Sequence, residues 1–268
     1  MREPKPSPWW LRLHALTVYV FLYAPIVVLV LFSFNTDRRN SAWRGFTTEW
    51  YSKLWHDELL LRALTNSLKV ACLSTLISTL LGTMAALALS QYRFRGREGV
   101  GALAYLPMMV PEIVMGIALL TFFIQIGWQL SIWTVILAHV AFSVGYVTVT
   151  VRTRLAGLAG NLEEAAADLG ADPWTTFRLV TFPRILPGVV SGWLLAAINS
   201  FDEVTMTVFI ASPATVTLPV RMFLYIQDNI DPLIAAVSAC LIAMTAILLF
   251  ALDRLFGLDR LFVGSGKG

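Results

Sequence analysis

Three carboxylates, Glu112, Asp202 and Glu203, stand inside long apolar runs, where an ionisable side chain is costly and tends to mark a route for an ion or a polar solute. Carboxylates suit a solute that carries ammonium groups, because each attracts a positive charge while separate weak contacts let the solute move on. Asn199 and Ser200, about one turn deeper, add hydrogen-bonding groups to the same stretch. A structural reading stands beside this one: Asp202 and Glu203 cap or brace a break in a helix, and Glu112, directly after Pro111, satisfies backbone donors that the proline frees. No constellation for catalysis or for a metal is visible. There is no Gly-x-Ser-x-Gly, no Cys/His set and no paired His/Asp/Glu cluster at one depth. Cys72 and Cys240 lie in apolar runs, where a thiol behaves as a small hydrophobe. His139 in "LAHVAF" reads as a hydrogen-bonded interhelical residue rather than a proton relay, and His14 and His56 offer no metal spacing with it. The C-terminal "GSGKG" lacks the earlier glycine, the following Ser/Thr and the strand-to-helix context of a phosphate loop, so it reads as a flexible tail. Any ATP must then be bound and hydrolysed by a partner, with no enzyme activity and no cofactor on this chain.

The elements that position the acids follow from composition. With 268 residues, 57 % hydrophobic, 14 % charged and a mean hydropathy of +0.70, the chain has a membrane protein's composition. A helix needs roughly 20 mostly apolar residues to cross about 30 Å of hydrocarbon. Six segments approach or meet that length, at 13–34, 64–89, 100–126, 131–151, 188–211 and 232–252. The expectation is an all-α polytopic protein, one transmembrane domain over 1–268 with six spans and no second domain. The first segment follows Arg2, Lys5 and Arg12 but is too long for a signal peptide and lacks a cleavage site, so it is kept as a span. At about 1.5 Å per residue, Glu112 falls near mid-membrane in the third segment, and Asp202 and Glu203 fall in the outer half of the fifth.

Orientation follows from the basic residues. With the N-terminus in the cytoplasm, 13 of the 20 Lys and Arg fall on the inner side, among them Arg93, Arg95, Arg97, Arg152 and Arg154. Both termini are then cytoplasmic. All the tryptophans except Trp193 sit at or near span ends, and the net charge of +3 is a topology signal rather than a nucleic-acid footprint. Between the first two spans, "WRGFTTEWYSKLWHDELLLRALTNS" reads as a short interfacial helix with Trp50, Leu54 and Trp55 on one side.

One polar stretch, "NLEEAAADLGADPWTTFRLVTFPRILPG" at 161–188, interrupts this pattern on the cytoplasmic side. Asn161 with Glu164 forms a capping-box pattern, Leu162, Ala165, Ala166 and Leu169 share a face, and Gly170 supplies the stop. Asp172 then reads as a second N-cap with Pro173 at the first helical position, and Pro183 and Pro187 interrupt the segment before the fifth span. Small side chains on a narrow face suit entry into a groove on another protein. A surface helix pair packed under the bundle is the competing reading.

These residues resemble the EAA loop of ABC importer permeases: Glu164-Ala165-Ala166, three residues, Gly170, nine residues, then Val180, Phe182 and Pro183, where Val and Phe replace the family's usual Ile and Leu. "FLYAPIVVLVLFSFN", "NSLKVACLSTLISTLLGTMAALAL", "PMMVPEIVMGIALL" and "NSFDEVTMTVFIASPATVTLPVRMF" are similar to segments of the spermidine and putrescine permeases, the second of the two in such systems. The resemblance implies a type I importer fold in the bacterial inner membrane, with the loop at about 152–187 forming a coupling helix that docks in a groove of a cytoplasmic ATPase. Glu163 and Glu164 would be polar partners of the ATPase, Ala165, Ala166 and Gly170 its close contacts, Asp168 part of the docking surface, and Asp172, Pro173 and Pro183 part of the turn beyond. Also implied are a homologous permease, two ATPase subunits that bind ATP-Mg, a periplasmic solute-binding protein and a polyamine as solute. An opine, an amino-acid derivative or a phosphonate is the alternative solute. A cation channel would use the acids but not the loop, and a membrane enzyme would need a catalytic set.

Overall fold

Inside a bilayer a single segment satisfies its own backbone only as a helix. The computed structural model describes residues 9–157, 161–228 and 231–256, and these form helices joined by short connections, with one isolated antiparallel bridge between Asn35 and Phe46. The chain divides into two compact units, 1–61 with 224–268, and 62–223.

In the first unit, α1 (Trp9–Phe32) runs unbroken through Pro25 and buries none of its residues. The loop after it is organised by buried Asn35, whose Nδ2 donates to the Ala42 carbonyl at 2.8 Å and whose Oδ1 accepts from Arg44 N at 3.0 Å. The expected interfacial helix is α2 (Glu49–His56), and buried Trp50 donates from Nε1 to the Asn35 carbonyl at 2.8 Å. Trp55 does not share that face. Five residues are about 500° of helix, and the ring is 72 % exposed.

In the second unit, α3 (Glu58–Gln91, from Arg62 onward), α4 (Arg97–Met109), α5 (Glu112–Gln125) and α6 (Ile132–Ala156) precede the polar stretch. That stretch holds α7 (Asn161–Asp168), α8 (Pro173–Thr176) and a π-helical turn (Phe177–Thr181), after which come α9 (Phe182–Asp202), α10 (Thr207–Ile210) and α11 (Leu218–Asp228, up to Phe223). The first unit ends in α12 (Leu233–Phe256). Among the described residues four helical stretches are long and apolar enough to cross a membrane, namely α1, α3, α6 and Pro173–Asp202. The pair α4 and α5 is together long and apolar enough for a fifth, as a broken span or a re-entrant loop, and α12 contributes the shorter apolar run Leu233–Ile247.

Two expected spans are not single helices. The third breaks at Val110-Pro111 with a bend of 110°. A residue before proline is driven out of the helical region, and Val110 is extended at φ −79°, ψ 131°. The fifth ends at Asp202, and α10 forms separately beyond it. At its other end the helix continues where an interruption was expected: the π turn, in which Phe182 N reaches back to the Phe177 carbonyl, leads into α9 with Pro183 in its first turn, and Pro187 stands inside the helix.

The centre of this unit is α6, which is buried along most of its length. Helices in lipid associate through small residues that let backbones approach. A Cβ on Gly145 would lie 2.5 Å from the Ala104 carbonyl oxygen of α4, one on Gly82 of α3 would meet Val147 Cβ at 2.6 Å, and one on Gly192 of α9 would meet Val147 Cα at 3.2 Å. Three helices therefore close on α6 at positions that admit no side chain. Gly145→Ala should lower the detergent melting temperature through overpacking of about 1–3 kcal/mol, whereas Gly99→Ala, with open space at its Cβ, should leave it unchanged; equal melting of the two variants contradicts this packing.

Candidate functional site

The C-terminal end of α9 is built around Glu203. Its carboxylate is 7 % exposed and folds back on its own chain, Oε1 accepting from Met206 N at 2.5 Å and Oε2 from Thr207 N at 2.8 Å and from the Thr207 hydroxyl. These are the donors that the start of α10 leaves without helical partners. His139 of α6 lies alongside, with Nε2 2.8 Å from Thr207 Oγ1 and 3.7 Å from Glu203 Oε2. Its Nδ1 is 2.8 Å from Ser200 Oγ, which is itself 2.8 Å from Ser74 Oγ of α3. A buried polar chain thus links α3, α6, α9 and α10. His139 is the interhelical hydrogen-bonding residue that its setting suggested.

The remaining acids differ from Glu203. Asp202 and Glu112 are both exposed, and neither carboxylate accepts a hydrogen bond within the described residues. Glu112 therefore does not cap α5, whose N-terminus has no side-chain hydrogen bond. A Cβ on Gly116 would lie 2.9 Å from Phe209 Cδ2 and 3.1 Å from Met206 Cα, so α5 packs closely on the segment after the α9 break. Glu112 stands one turn earlier on the same face of α5 as Gly116. The two helix breaks therefore bring Glu112 and Asp202–Glu203 into one neighbourhood. Asn199 is half-buried one turn before Glu203, while Ser200 is buried in the polar chain.

At the opposite end of α9, the polar stretch forms two short helices with a corner between them. Gly170 has φ +84°, Gly170 N bonds to the Ala167 carbonyl at 2.9 Å and Ala171 N to the Ala166 carbonyl at 3.0 Å, which is a Schellman closure of α7. Asp172 caps α8, accepting from Trp174 N at 2.9 Å, Thr175 N at 3.2 Å and the Thr175 hydroxyl, with Pro173 at the first helical position. The Thr175 hydroxyl bond is the main cause that holds the Asp172 carboxyl below its usual range. A depressed carboxyl keeps its stabilising effect at all pH above its unfolded value of about 4 and loses it only in stronger acid. The Asn161 side chain of the expected capping box lies outside the described residues.

Glu163 faces inward instead of out. Its Oε1 accepts from Thr181 Oγ1 at 2.6 Å and from Gln91 Nε2 at 3.2 Å, tying α7 to the π turn and to the end of α3. Glu164, Ala165, Asp168 and Gly170 are exposed and Ala166 is half-buried, while Pro183 is exposed in the first turn of α9. Nothing local in the chain points to the Gln91 and Thr181 partners, since pairs 72 and 18 residues apart share no local spacing. The Ser74 contact had a weak signal in the stripe Ser67, Ser74, Ser78, Gly82 and Ala86, small residues repeating at helical intervals along α3.

A family model described as "binding-protein-dependent transport system inner membrane component" matches residues 78–258. The spermidine/putrescine transport system permease protein PotC of Haemophilus influenzae is 39 % identical over 228 residues, spanning 85 % of this chain and 89 % of that protein. The putrescine transport system permease protein PotI of Escherichia coli is 36 % identical over 254 residues, spanning 91 % and 89 %. Among solved structures, a bacterial ABC transporter involved in import of the acidic polysaccharide alginate matches with a TM-score of 0.73 over 96 % of this chain and 99 % of that one, and at 16 % identity this likeness shows the fold alone.

The different settings of the acids give different expected outcomes. Glu203→Gln places an amide donor against backbone donors and should cost about 1–3 kcal/mol, read as a lower melting temperature and lower yield. Asp202→Asn and Glu112→Gln should leave both readouts at the parent value. Equal stability of all three variants contradicts the brace at Glu203.

Proposed function

We propose that this chain, which belongs to the family of binding-protein-dependent transport system inner membrane components, carries a small amine-bearing cation of the polyamine class inward by alternating access. It is an ABC importer permease, a multi-pass inner-membrane protein and not an enzyme. The observation that carries the solute class is the pair of exposed, unpaired carboxylates, Glu112 and Asp202, at two helix breaks that meet in an apolar fold. Similarity to the spermidine/putrescine and putrescine permeases supports it. Glu112 and Asp202, with Asn199, contact the ammonium groups. Glu203 and Ser200 hold the break open behind them.

The full assignment has six spans with both termini cytoplasmic, a homologous permease that completes the path, two ATPase subunits that bind ATP-Mg, and a periplasmic binding protein that delivers the solute. The segment at 161–183 docks on the ATPase with Glu164, Ala165, Ala166, Asp168 and Gly170 outward. Its inward face is tied by Glu163 to α3 and to the turn that starts α9. Movement of α7 is thereby passed to the helix whose far end carries Asp202.

Two measurements test this. Glu112→Gln and Asp202→Asn should assemble normally yet reduce uptake, and the loss should be larger for a triamine than for a monoamine because the lost attraction scales with ligand charge. Parent-rate polyamine uptake by both variants removes the acidic path. Gly170→Val forces a β-branched residue into a left-handed conformation; it should leave the spans folded but weaken co-purification of the ATPase and abolish transport. Normal co-purification with normal uptake contradicts the docking segment.

A further inference from the structure

An open cleft of about 690 Å3 lies where the inner ends of α3, α4 and α6 meet, lined among others by Arg93, Arg97, Arg152, Glu98, Gly101 and Tyr105. It belongs neither to the helix breaks nor to the segment proposed to dock on the ATPase. Arg97 is fixed by its Nε bond to the Leu89 carbonyl at 2.8 Å, which leaves its terminal guanidinium nitrogens available. Arg152 leans on the Tyr105 hydroxyl at 3.4 Å. Among the described residues no carboxylate lies within 4.0 Å of Arg93, Arg97 or Arg152, including Glu98 in the same cleft. The N-terminus of α4 opens here too, with Gly96 as an N-cap that offers no side-chain acceptor, so its first-turn amides add to the positive field. Two tethered cations, Arg97 and Arg152, a third at Arg93 and a helix N-terminus around one concavity are a complement for a phosphate group.

The depth of the cleft selects the source of that phosphate. The apolar run of α3 ends at Leu89 and gives way to Ser90, Gln91 and Arg93, while α4 is charged at Arg97 and Glu98 and apolar from Val100. Polar and apolar chemistry therefore change over at the cleft, as they do at the headgroup level of a bilayer. Tyr92 and Phe94, both more than a third exposed, stand beside Arg93 at this changeover, as interfacial aromatics do. Beyond it Val100, Leu103 and Leu106 of α4 are exposed apolar side chains on which acyl chains can lie. We infer that this cleft binds the phosphodiester headgroup of an anionic phospholipid of the inner leaflet, bridging α3 and α4 to α6 just ahead of the 161–183 segment.

The test uses the assembled transporter, stripped of lipid in detergent and titrated separately with short-chain phosphatidylglycerol, phosphatidylcholine of the same chain length, and inorganic phosphate. Phosphatidylglycerol alone should raise the melting temperature, and native mass spectrometry should retain it on the parent complex. Arg93→Gln, whose side chain makes no hydrogen bond within the described residues, should weaken the apparent affinity about fivefold, and adding Arg97→Gln and Arg152→Gln should abolish the response. An equal response to phosphatidylcholine overturns the inference, as does a phosphate effect matching that of phosphatidylglycerol, which would mark a soluble-anion site. Loss of the ATPase subunits from Arg93→Gln with an unchanged lipid response also overturns it, assigning the cleft to a protein partner. If the triple variant does not assemble, Arg93→Gln decides, and an unchanged affinity there counts against the site.

Discussion

A helix that stops inside an apolar environment must find acceptors for the backbone donors it frees, and at the end of α9 one buried carboxylate supplies them. Glu203 takes the amides of Met206 and Thr207, and His139 and Ser200 extend its contacts to α6 and α3. Because each member of this chain is buried and hydrogen-bonded, losing one leaves another without a partner. The break is thus a fixed feature of the fold. Its fixity is what lets neighbouring Asp202 stay exposed and unpaired, since the structural duty falls on Glu203.

The same economy governs the packing around α6. Apolar side chains gain little by leaving lipid for a protein interior, so close approach at glycines, supplemented by buried hydroxyls, has to hold the helices together. Gly82, Gly145 and Gly192 bring α3, α4 and α9 onto one helix. The chain from Pro173 to Asp202 is continuous through the π turn, so the Gly170 corner and the break after Asp202 are the two ends of one element. Glu163 fastens α7 to the near end of that element. A displacement at the corner has a direct mechanical path to the acids.

Much of this was legible in the residues because it depends on local rules. Gly170 and Asp172 are a stop and a start set by backbone conformation and side-chain reach, and the structure places both in those roles. The all-helical class followed from hydropathy. What escaped had non-local causes. The bend at Val110-Pro111 is a proline effect visible in principle, yet a run of apolar residues looks the same whether straight or folded back. The continuity into Pro183 runs through a π turn that no spacing announces. Glu163 was taken for a residue facing a partner, and its donors, Thr181 and Gln91, come from the tertiary fold; for Glu203 the brace of a helix break stood beside the solute route, and its donors come from the backbone of that break.

ATP-driven uptake in proteoliposomes holding the complete transporter, with the binding protein on one side and ATP on the ATPase side, measures the central claim most directly. Labelled spermidine should accumulate only with both present, and putrescine should compete for it while a neutral diol of similar length should not. Accumulation without ATP, or equal competition by the diol, would contradict the account.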